Sequence, residues 1–354
     1  MKMHNFSAGP CVLPSIVYSQ AAEAVLNFEN SGLSILEISH RSSAFVAVLE
    51  EARDLVLKLM NLDASQYSAL FLQGSASMEF LRVPVNLMRS KAAYINTGTW
   101  STKAIAEARA FGEVAVIASS ADRNFSYIPT DFIVDSQFDY LHFTSNNTIY
   151  GTQFTAVPQA SVPLVCDMSS DIFSRVLDFS AFDVIYAGVQ KNIGPAGSSL
   201  VVVKNEVLGK TGRSIPSMLD YQQHLNHDNL YHTANVFGVY TSLLNLRWLN
   251  DLGGVAAIEA KNEEKANRLY RAIDGLDMIT GMAEREFRSK MNATFRFKDN
   301  SLDAVFDECC RQANIVNIKG HRNVGGYRAS MYNALPIESV DVLVQVLEQL
   351  KHKA

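Results

Sequence analysis

Two side chains set the chemistry open to this sequence. One is Lys191, within Tyr186-Ala187-Gly188-Val189-Gln190-Lys191-Asn192-Ile193-Gly194-Pro195-Ala196-Gly197; the other is Asp167, which closes the apolar run Val162-Pro163-Leu164-Val165-Cys166. The lysine follows Val184-Ile185-Tyr186, which reads as a buried strand, and precedes a turn rich in Gly and Pro. An ammonium on apolar surroundings loses hydration, so its pKa falls and a neutral amine becomes available to attack an aldehyde. Asp167 also falls at a strand end. An amine for an aldehyde and a carboxylate for a cationic ring nitrogen is the pairing that pyridoxal phosphate demands. Spacing alone is met as readily by a solvated lysine beside a glycine turn.

The elements that must position this pair alternate between strand and helix. Tyr67 to Leu72 reads as a strand, and Gln73-Gly74-Ser75-Ala76-Ser77 turns into a helix beginning near Met78. Strand, small-residue turn and helix together offer free backbone N–H groups to a phosphate, here at Ala76 and Ser77. No P-loop lysine follows, so a nucleoside triphosphate is not indicated. A second strand, Ala92 to Asn96, ends in Thr97-Gly98-Thr99-Trp100-Ser101 before a helix carrying Ile105, Ala108 and Phe111. The flat face of Trp100 suits either a ring or interior packing. Glu113–Ser119 and Tyr140–Thr144 follow as strands, the latter leading into the polar turn that contains Thr148, and Ser198–Lys204 is another. Candidates gathered at strand ends are where open α/β sheets bind ligands.

Elsewhere, Pro14-Ser15 precedes a helical pattern, with Ser15 as its expected N-cap, and His40-Arg41 lie in the loop ahead of an amphipathic helix from Ala44 to Leu59. A polar passage, Tyr221 to Asn229, leads to His232-Thr233. Helical spacing from Val239 to Asn250 and from Val255 to Ile273 is broken at Asp251-Leu252-Gly253-Gly254, where the expected division falls: a large domain of residues 16–253 and a smaller one of residues 254–354, with residues 1–15 packing nearby. In the smaller part Arg322 and Arg328 flank a glycine turn, so two planar guanidinium forks can converge on one anion.

Bulk properties narrow the function classes. The chain has 354 residues, 48% of them hydrophobic, a formal charge of −5 and a pI near 5.9, which gives no basic field for nucleic acid. Cys11, Cys166, Cys309 and Cys310 show neither a disulfide framework nor a metal spacing. The first residues lack the apolar core of a signal peptide and no run reaches membrane-span length, so the expectation is a cytoplasmic protein that meets neither membrane nor metal.

Gln190 to Gly197 resembles the lysine motif of the phosphoserine aminotransferases, class V members of the fold type I pyridoxal phosphate enzymes. Phe6-Ser7-Ala8-Gly9-Pro10, Thr97-Gly98-Thr99-Trp100-Ser101 and Gly320-His321-Arg322 through Arg328-Ala329-Ser330-Met331-Tyr332-Asn333-Ala334 carry the resemblance nearly end to end. It implies an α/β fold with a mostly parallel seven-stranded sheet flanked by helices, a smaller α+β C-terminal domain, and a homodimer with shared sites. It further implies Lys191 as tether and proton carrier, Asp167 at the ring nitrogen, Trp100 stacked on the ring and Thr148 at its oxygen. Ala76, Ser77, Gln190 and, from a second copy, His232 and Thr233 would hold the phosphate. Arg328 would take the α-carboxylate, while His40 and Arg41 of a second copy, with His321 and Arg322, would take the distal anion of L-glutamate or 3-phosphohydroxypyruvate. The resemblance leaves open whether phosphohydroxythreonine, of vitamin B6 synthesis, is a second substrate. The chain departs from the family at Gly74-Ser75, where two glycines are usual, at His232 for asparagine, and at Ala234-Asn235 for a proline pair. Alternatives are another class V enzyme, a cysteine desulfurase, which needs a cysteine on a mobile loop, or a silent relative that only binds ligand.

Overall fold

The computed structural model describes residues 2–351; residue 1 and residues 352–354, the extremities of the expected terminal segments, lie outside the described residues. Seven apolar runs form one sheet: β1 (Tyr67–Gln73), β2 (Lys91–Asn96), β3 (Glu113–Ser119), β4 (Leu141–Thr144), β5 (Leu164–Asp167), β6 (Val184–Gly188) and β7 (Ser198–Lys204). Their order across the sheet is β1-β7-β6-β5-β4-β2-β3, and only β7 runs against the rest. The carboxyl ends of the other six therefore share one edge with the start of β7. Strands β4, β5 and β6 are buried at every residue, as a parallel sheet covered on both faces requires.

Alternation along each strand divides the core in two. Leu70, Leu72, Tyr94, Val165, Tyr186 and Val201 face α3 (Ala76–Leu87), α4 (Thr99–Ala108) and α5 (Tyr221–Asn226). Ala69, Phe71, Ile95, Cys166, Ile185 and Leu200 face α1 (Ser15–Asn27), α2 (Ser43–Met60) and α6 (Val236–Asp251). A third core lies on an antiparallel sheet of β8 (Ile279–Gly281), β9 (Asn292–Phe297) and β10 (Tyr327–Ser330), covered by α8 (Leu302–Gln312) and α9 (Ile337–Leu350). Phe6, near the start of the chain, is buried in this third core. The long helix α7 (Gly254–Asp274) belongs to both: Val255 and Ile258 pack with the large sheet, Ala266, Leu269 and Ile273 with the small one.

A polar seam joins these parts. Asn333 donates its N–H to Asn192 Oδ1 at 3.0 Å and its side chain to the Phe173 carbonyl at 3.1 Å, while Asn245 donates to the Asn192 carbonyl at 2.8 Å. Buried Lys265 donates to the carbonyls of Met331 and Tyr332 at 3.1 and 2.7 Å, just beyond β10. Such directional bonds fix the small sheet against the lysine turn more narrowly than apolar contact would. Similarly, fully buried Glu79 accepts from Arg82, Ser199 and Tyr221, at 2.6, 2.5 and 2.6 Å. That hub ties α3 to β7 and α5, and so sets where the start of α3 stands.

Several helix starts differ from expectation: α6 begins at Val236, three residues before Val239, and α2 and α7 each begin one residue early. Pro14, at φ −57° and ψ 142°, occupies the N-cap of α1, and Ser15 is already inside the helix without a capping bond. Helix α3 begins at Ala76, two residues before Met78, so Ala76 and Ser77 are themselves first-turn residues. Among the described residues no helix is long and apolar enough to cross a membrane.

Candidate active site

A cleft of about 310 Å³ opens at the shared strand edge. Ala76, Ser77, Trp100, Thr148, Asp167, Gln190, Lys191, His321 and Arg328 all line it. Six segments distant in sequence thus meet: five come from strand ends of the large sheet, and His321 and Arg328 from the smaller part.

The turn before α3 depends on one glycine. Gly74 sits at φ +117°, where a Cβ would lie 2.6 Å from Met78 Cγ. Ser75 is extended, at φ −143° and ψ 174°, so a side chain is accommodated there without strain where a second glycine was the family pattern. Its hydroxyl makes no capping bond. The first amides of α3, which have no intrahelical acceptor, are therefore open to an anion in the cleft.

Trp100 is fixed by its own hydrogen bond: Nε1 donates to Thr148 Oγ1 at 3.0 Å. With that oxygen accepting, the Thr148 hydroxyl proton is left to donate to a ligand. Arg328 Nη1 donates to the Thr148 carbonyl at 3.4 Å, and Arg328 Nε is buried without a partner. No carboxylate among the described residues neutralises this guanidinium, a condition that calls for an anionic ligand.

Lys191 Nζ stands 5.9 Å from the Trp100 ring centroid. Its backbone is pinned by the Cys11 thiol, which donates to the Lys191 carbonyl, and by Cys11 N–H, which donates to the Gln190 carbonyl at 3.2 Å. Burial lowers the ammonium pKa; the Asp167 charge opposes that and the Arg328 charge reinforces it. Asp167 ends β5, is 4% exposed, and accepts from Ser169 N–H at 2.9 Å. Burial raises its carboxyl pKa, with Ser169 and Lys191 acting against the rise. For both groups desolvation outweighs mutual attraction, so the pair is drawn towards its neutral forms, as an amine nucleophile requires.

Five expected residues stand outside the cleft lining: His40, Arg41, His232, Thr233 and Arg322. Arg41, Arg322 and Thr233 are exposed. His232 is 5% exposed with both ring nitrogens unpartnered, its ring 5.2 Å from that of His224, and burial beside His224, Arg82 and His40 lowers its pKa to about 4. Residues the sequence reading missed include Thr144, Asn146, Ser169 and Ser170 in the lining. Their position at the ends of β4 and β5, the strands that carry Asp167 and its neighbour, was the available signal. Cys11 bonds the Lys191 backbone, but burial pushes its thiol up to about 12, which suits a buried donor and not a desulfurase nucleophile.

The residues present fit pyridoxal phosphate. The open helix start suits its phosphate, Asp167 its ring nitrogen and Lys191 its aldehyde, and the unpartnered atoms Thr144 Oγ1 and Arg328 Nε mark a lining built to be filled by polar groups.

Comparisons with known proteins agree with the geometry. The class V aminotransferase family model matches residues 3–343. A phosphoserine aminotransferase of Flavobacterium psychrophilum is 58% identical, with all of both chains covered, and one of Porphyromonas gingivalis is 50% identical over all of both. Among solved structures, the phosphoserine aminotransferase of Bacillus circulans subsp. alkalophilus superposes with a TM-score of 0.96 at 39% identity, covering 99% of each chain. The pyridoxal phosphate-bound phosphoserine aminotransferase of Trichomonas vaginalis gives a TM-score of 0.92 at 33% identity, covering 98% of this chain and all of the other. Full-length relatives at this level, on a cleft built in this way, place the chain in the class V aminotransferases: it belongs to the phosphoserine aminotransferase family of pyridoxal phosphate-dependent transaminases.

Proposed function

We propose that this enzyme moves the amino group of L-glutamate to 3-phosphohydroxypyruvate, giving O-phospho-L-serine and 2-oxoglutarate. The observation that carries this reading is the Arg328 guanidinium, which no carboxylate among the described residues neutralises and whose Nε has no partner, in the same cleft as Lys191 and Asp167. Both substrates bear an α-carboxylate, and Arg328 binds it as a planar fork.

When bound, pyridoxal phosphate supplies an electron sink for the charge left at the substrate α-carbon. The first amides of α3 at Ala76 and Ser77, with Gln190, would hold its phosphate. Asp167 would fix the charge on its ring nitrogen, Trp100 would cover the ring, and the Thr148 hydroxyl would donate to the ring oxygen. Lys191 Nζ, its pKa lowered by burial, would take the proton from the substrate α-carbon and deliver that same proton to the carbon of the cofactor's aldehyde.

The reading extends to a cytoplasmic homodimer in which a cleft between residues 16–253 and residues 254–354 is completed by a second copy. The partner's His40 and the partner's Arg41, with His321 and Arg322, take the distal carboxylate or phosphate; the partner's His232 and the partner's Thr233 reach the cofactor phosphate. Supporting it are the solvent-facing Arg41 and Thr233, the unpartnered nitrogens of His232, and apolar Leu36 left 65% exposed close to His40.

The test is the visible absorption band of the purified holoenzyme, which glutamate should abolish and 3-phosphohydroxypyruvate restore. A band indifferent to both would overturn the reading. A narrower result is expected from Arg41→Ala: KM for 3-phosphohydroxypyruvate rises about tenfold or more, the worth of one charged hydrogen bond, while a small keto acid without a distal anion is unaffected. Equal losses on both acceptors would remove Arg41 from the distal subsite.

A further inference from the structure

Of the buried side-chain atoms that lack a partner among the described residues, only two belong to residues lining the cleft: Arg328 Nε and Thr144 Oγ1. The proposed α-carboxylate contact accounts for Arg328. Nothing so far accounts for Thr144, which is 2% exposed. If packing were its task, valine would fill the same volume without stranding a hydroxyl.

Its place in the sheet identifies its partner. Thr144 ends β4, Asp167 ends β5, and the two are Cα partners in a parallel pair, so their side chains rise side by side from neighbouring strands about 4.8 Å apart. Asp167 Oδ1 already accepts from Ser169 N–H at 2.9 Å. A protonated carboxyl has less need of another donor, whereas an ionised one, buried, needs donors on both oxygens. We propose that Thr144 is a positioning residue, whose hydroxyl turns to donate to the Asp167 carboxylate when a cationic ring nitrogen in the cleft holds that carboxylate ionised. This rests on the reading of the cleft as a pyridoxal phosphate site.

The groups facing Asp167 are few. Lys191 approaches from the loop after β6, Tyr186 from β6, Cys166 from the preceding position, and Asp171, bonded to Arg175, from the turn beyond. Ser169 bears on the carboxylate through both its N–H and its hydroxyl, and that hydroxyl also accepts from Gly188 N–H at 3.1 Å; Thr144, on the neighbouring strand end, adds a buried hydroxyl that is committed to no partner among the described residues.

The test uses ligand-free protein titrated with pyridoxal phosphate across pH, binding being read from quenching of tryptophan fluorescence. Thr144→Val is expected to bind about tenfold more weakly near neutral pH, the lower end for a hydrogen bond to a charged group. Because affinity falls as Asp167 is protonated, the acid limb of its binding profile should also move up by about one pH unit, the same tenfold. Thr144→Ser should restore both. The cofactor's own titrations are common to all three proteins, so the difference between limbs reports Asp167 alone. The melting temperature of ligand-free Thr144→Val should not fall, since no native bond is lost. Unchanged binding by Thr144→Val would overturn the proposal, and so would a uniform weakening at every pH, which would mean that the hydroxyl meets the ligand itself. Failure of the unmodified protein to bind pyridoxal phosphate at any pH would instead refute the site reading beneath it.

Discussion

Lys191→Ala is expected to fold normally and to lose turnover by about four orders of magnitude or more, the upper range for removing a general acid–base group, before any loss of covalent catalysis is counted. Folding survives because nothing that shapes the turn comes from this side chain. Val189 N–H donates to the Ser198 carbonyl at 3.2 Å, Gly194 N–H to the Val189 carbonyl at 2.8 Å, and the Cys11 thiol binds the Lys191 backbone oxygen, all of which an alanine preserves. Relieving a buried amine of its desolvation even favours the variant's fold. Chemistry does not survive, since among the described residues no other amine lines the cleft. Two measurements separate these effects: single-turnover amino transfer, and borohydride reduction of the holoenzyme followed by peptide mass analysis. The cofactor should be fixed to the peptide bearing Lys191 in the unmodified protein and absent from the variant. Retention of a hundredth of normal turnover, or cofactor fixed elsewhere, would move the proton carrier to another residue.

How much of this was legible beforehand depends on which physics set each feature. Local pattern marks apolar runs and their ends, and those fix the sheet: Val184-Ile185-Tyr186 lies within β6 and Leu164 to Asp167 is β5. The last helix, α9, spans the Ile337–Leu350 pattern because its apolar spacing faces a single core. By contrast, the passage Tyr221–Asn229 reads as polar loop yet contains α5. Six residues hold too few intrahelical bonds to declare themselves; Asp220 caps that helix, and Tyr221 is drawn in by buried Glu79, far away in sequence.

The site divides along the same line. Ala76, Trp100, Thr148, Asp167 and Lys191 follow or end strands of the large sheet, and strand direction sends them to one edge; Arg328 comes to the same cleft from the small antiparallel sheet, which strand ends in the large sheet do not predict. Thr144 was equally visible as a strand end, but its stranded hydroxyl follows from the register of β4 on β5, which no single-strand pattern encodes. The seam of Asn192, Asn245, Asn262 and Asn333 was invisible for a like reason: asparagines in sequence read as loop residues until their partners are known. His40, Arg41, His232, Thr233 and Arg322 are a different case, for the resemblance assigns all but Arg322 to a second copy's cleft and one chain leaves those four outside its own.

Asp167→Asn should show stability and catalysis moving in opposite directions. Removing one member of a buried charged pair costs roughly 3–5 kcal/mol, so the loss of the partner for a cationic ring nitrogen is expected to lower turnover about 10²–10⁴-fold. The asparagine keeps the volume and can still accept from Ser169 N–H, so the loss is one of charge and not of shape. In ligand-free protein the sign reverses. Burial raises the Asp167 pKa above its unfolded value of about 3.8, so the carboxyl favours folding fully only below that unfolded value. Its contribution is lost as pH rises through the folded pKa. At neutral pH the unmodified protein bears the whole penalty of an ionised or reluctantly neutral buried acid, and asparagine removes it. Ligand-free Asp167→Asn should therefore melt higher than ligand-free unmodified protein at neutral pH, with the gap closing as pH falls towards the unfolded value. Cofactor binding should stabilise the unmodified protein more than the variant, because only the carboxylate gains a cation to pair with. A variant that melts lower without ligand, or gains as much from the cofactor as the unmodified protein, would show that Asp167 shapes the fold of the cleft and leaves the ring's charge to another group.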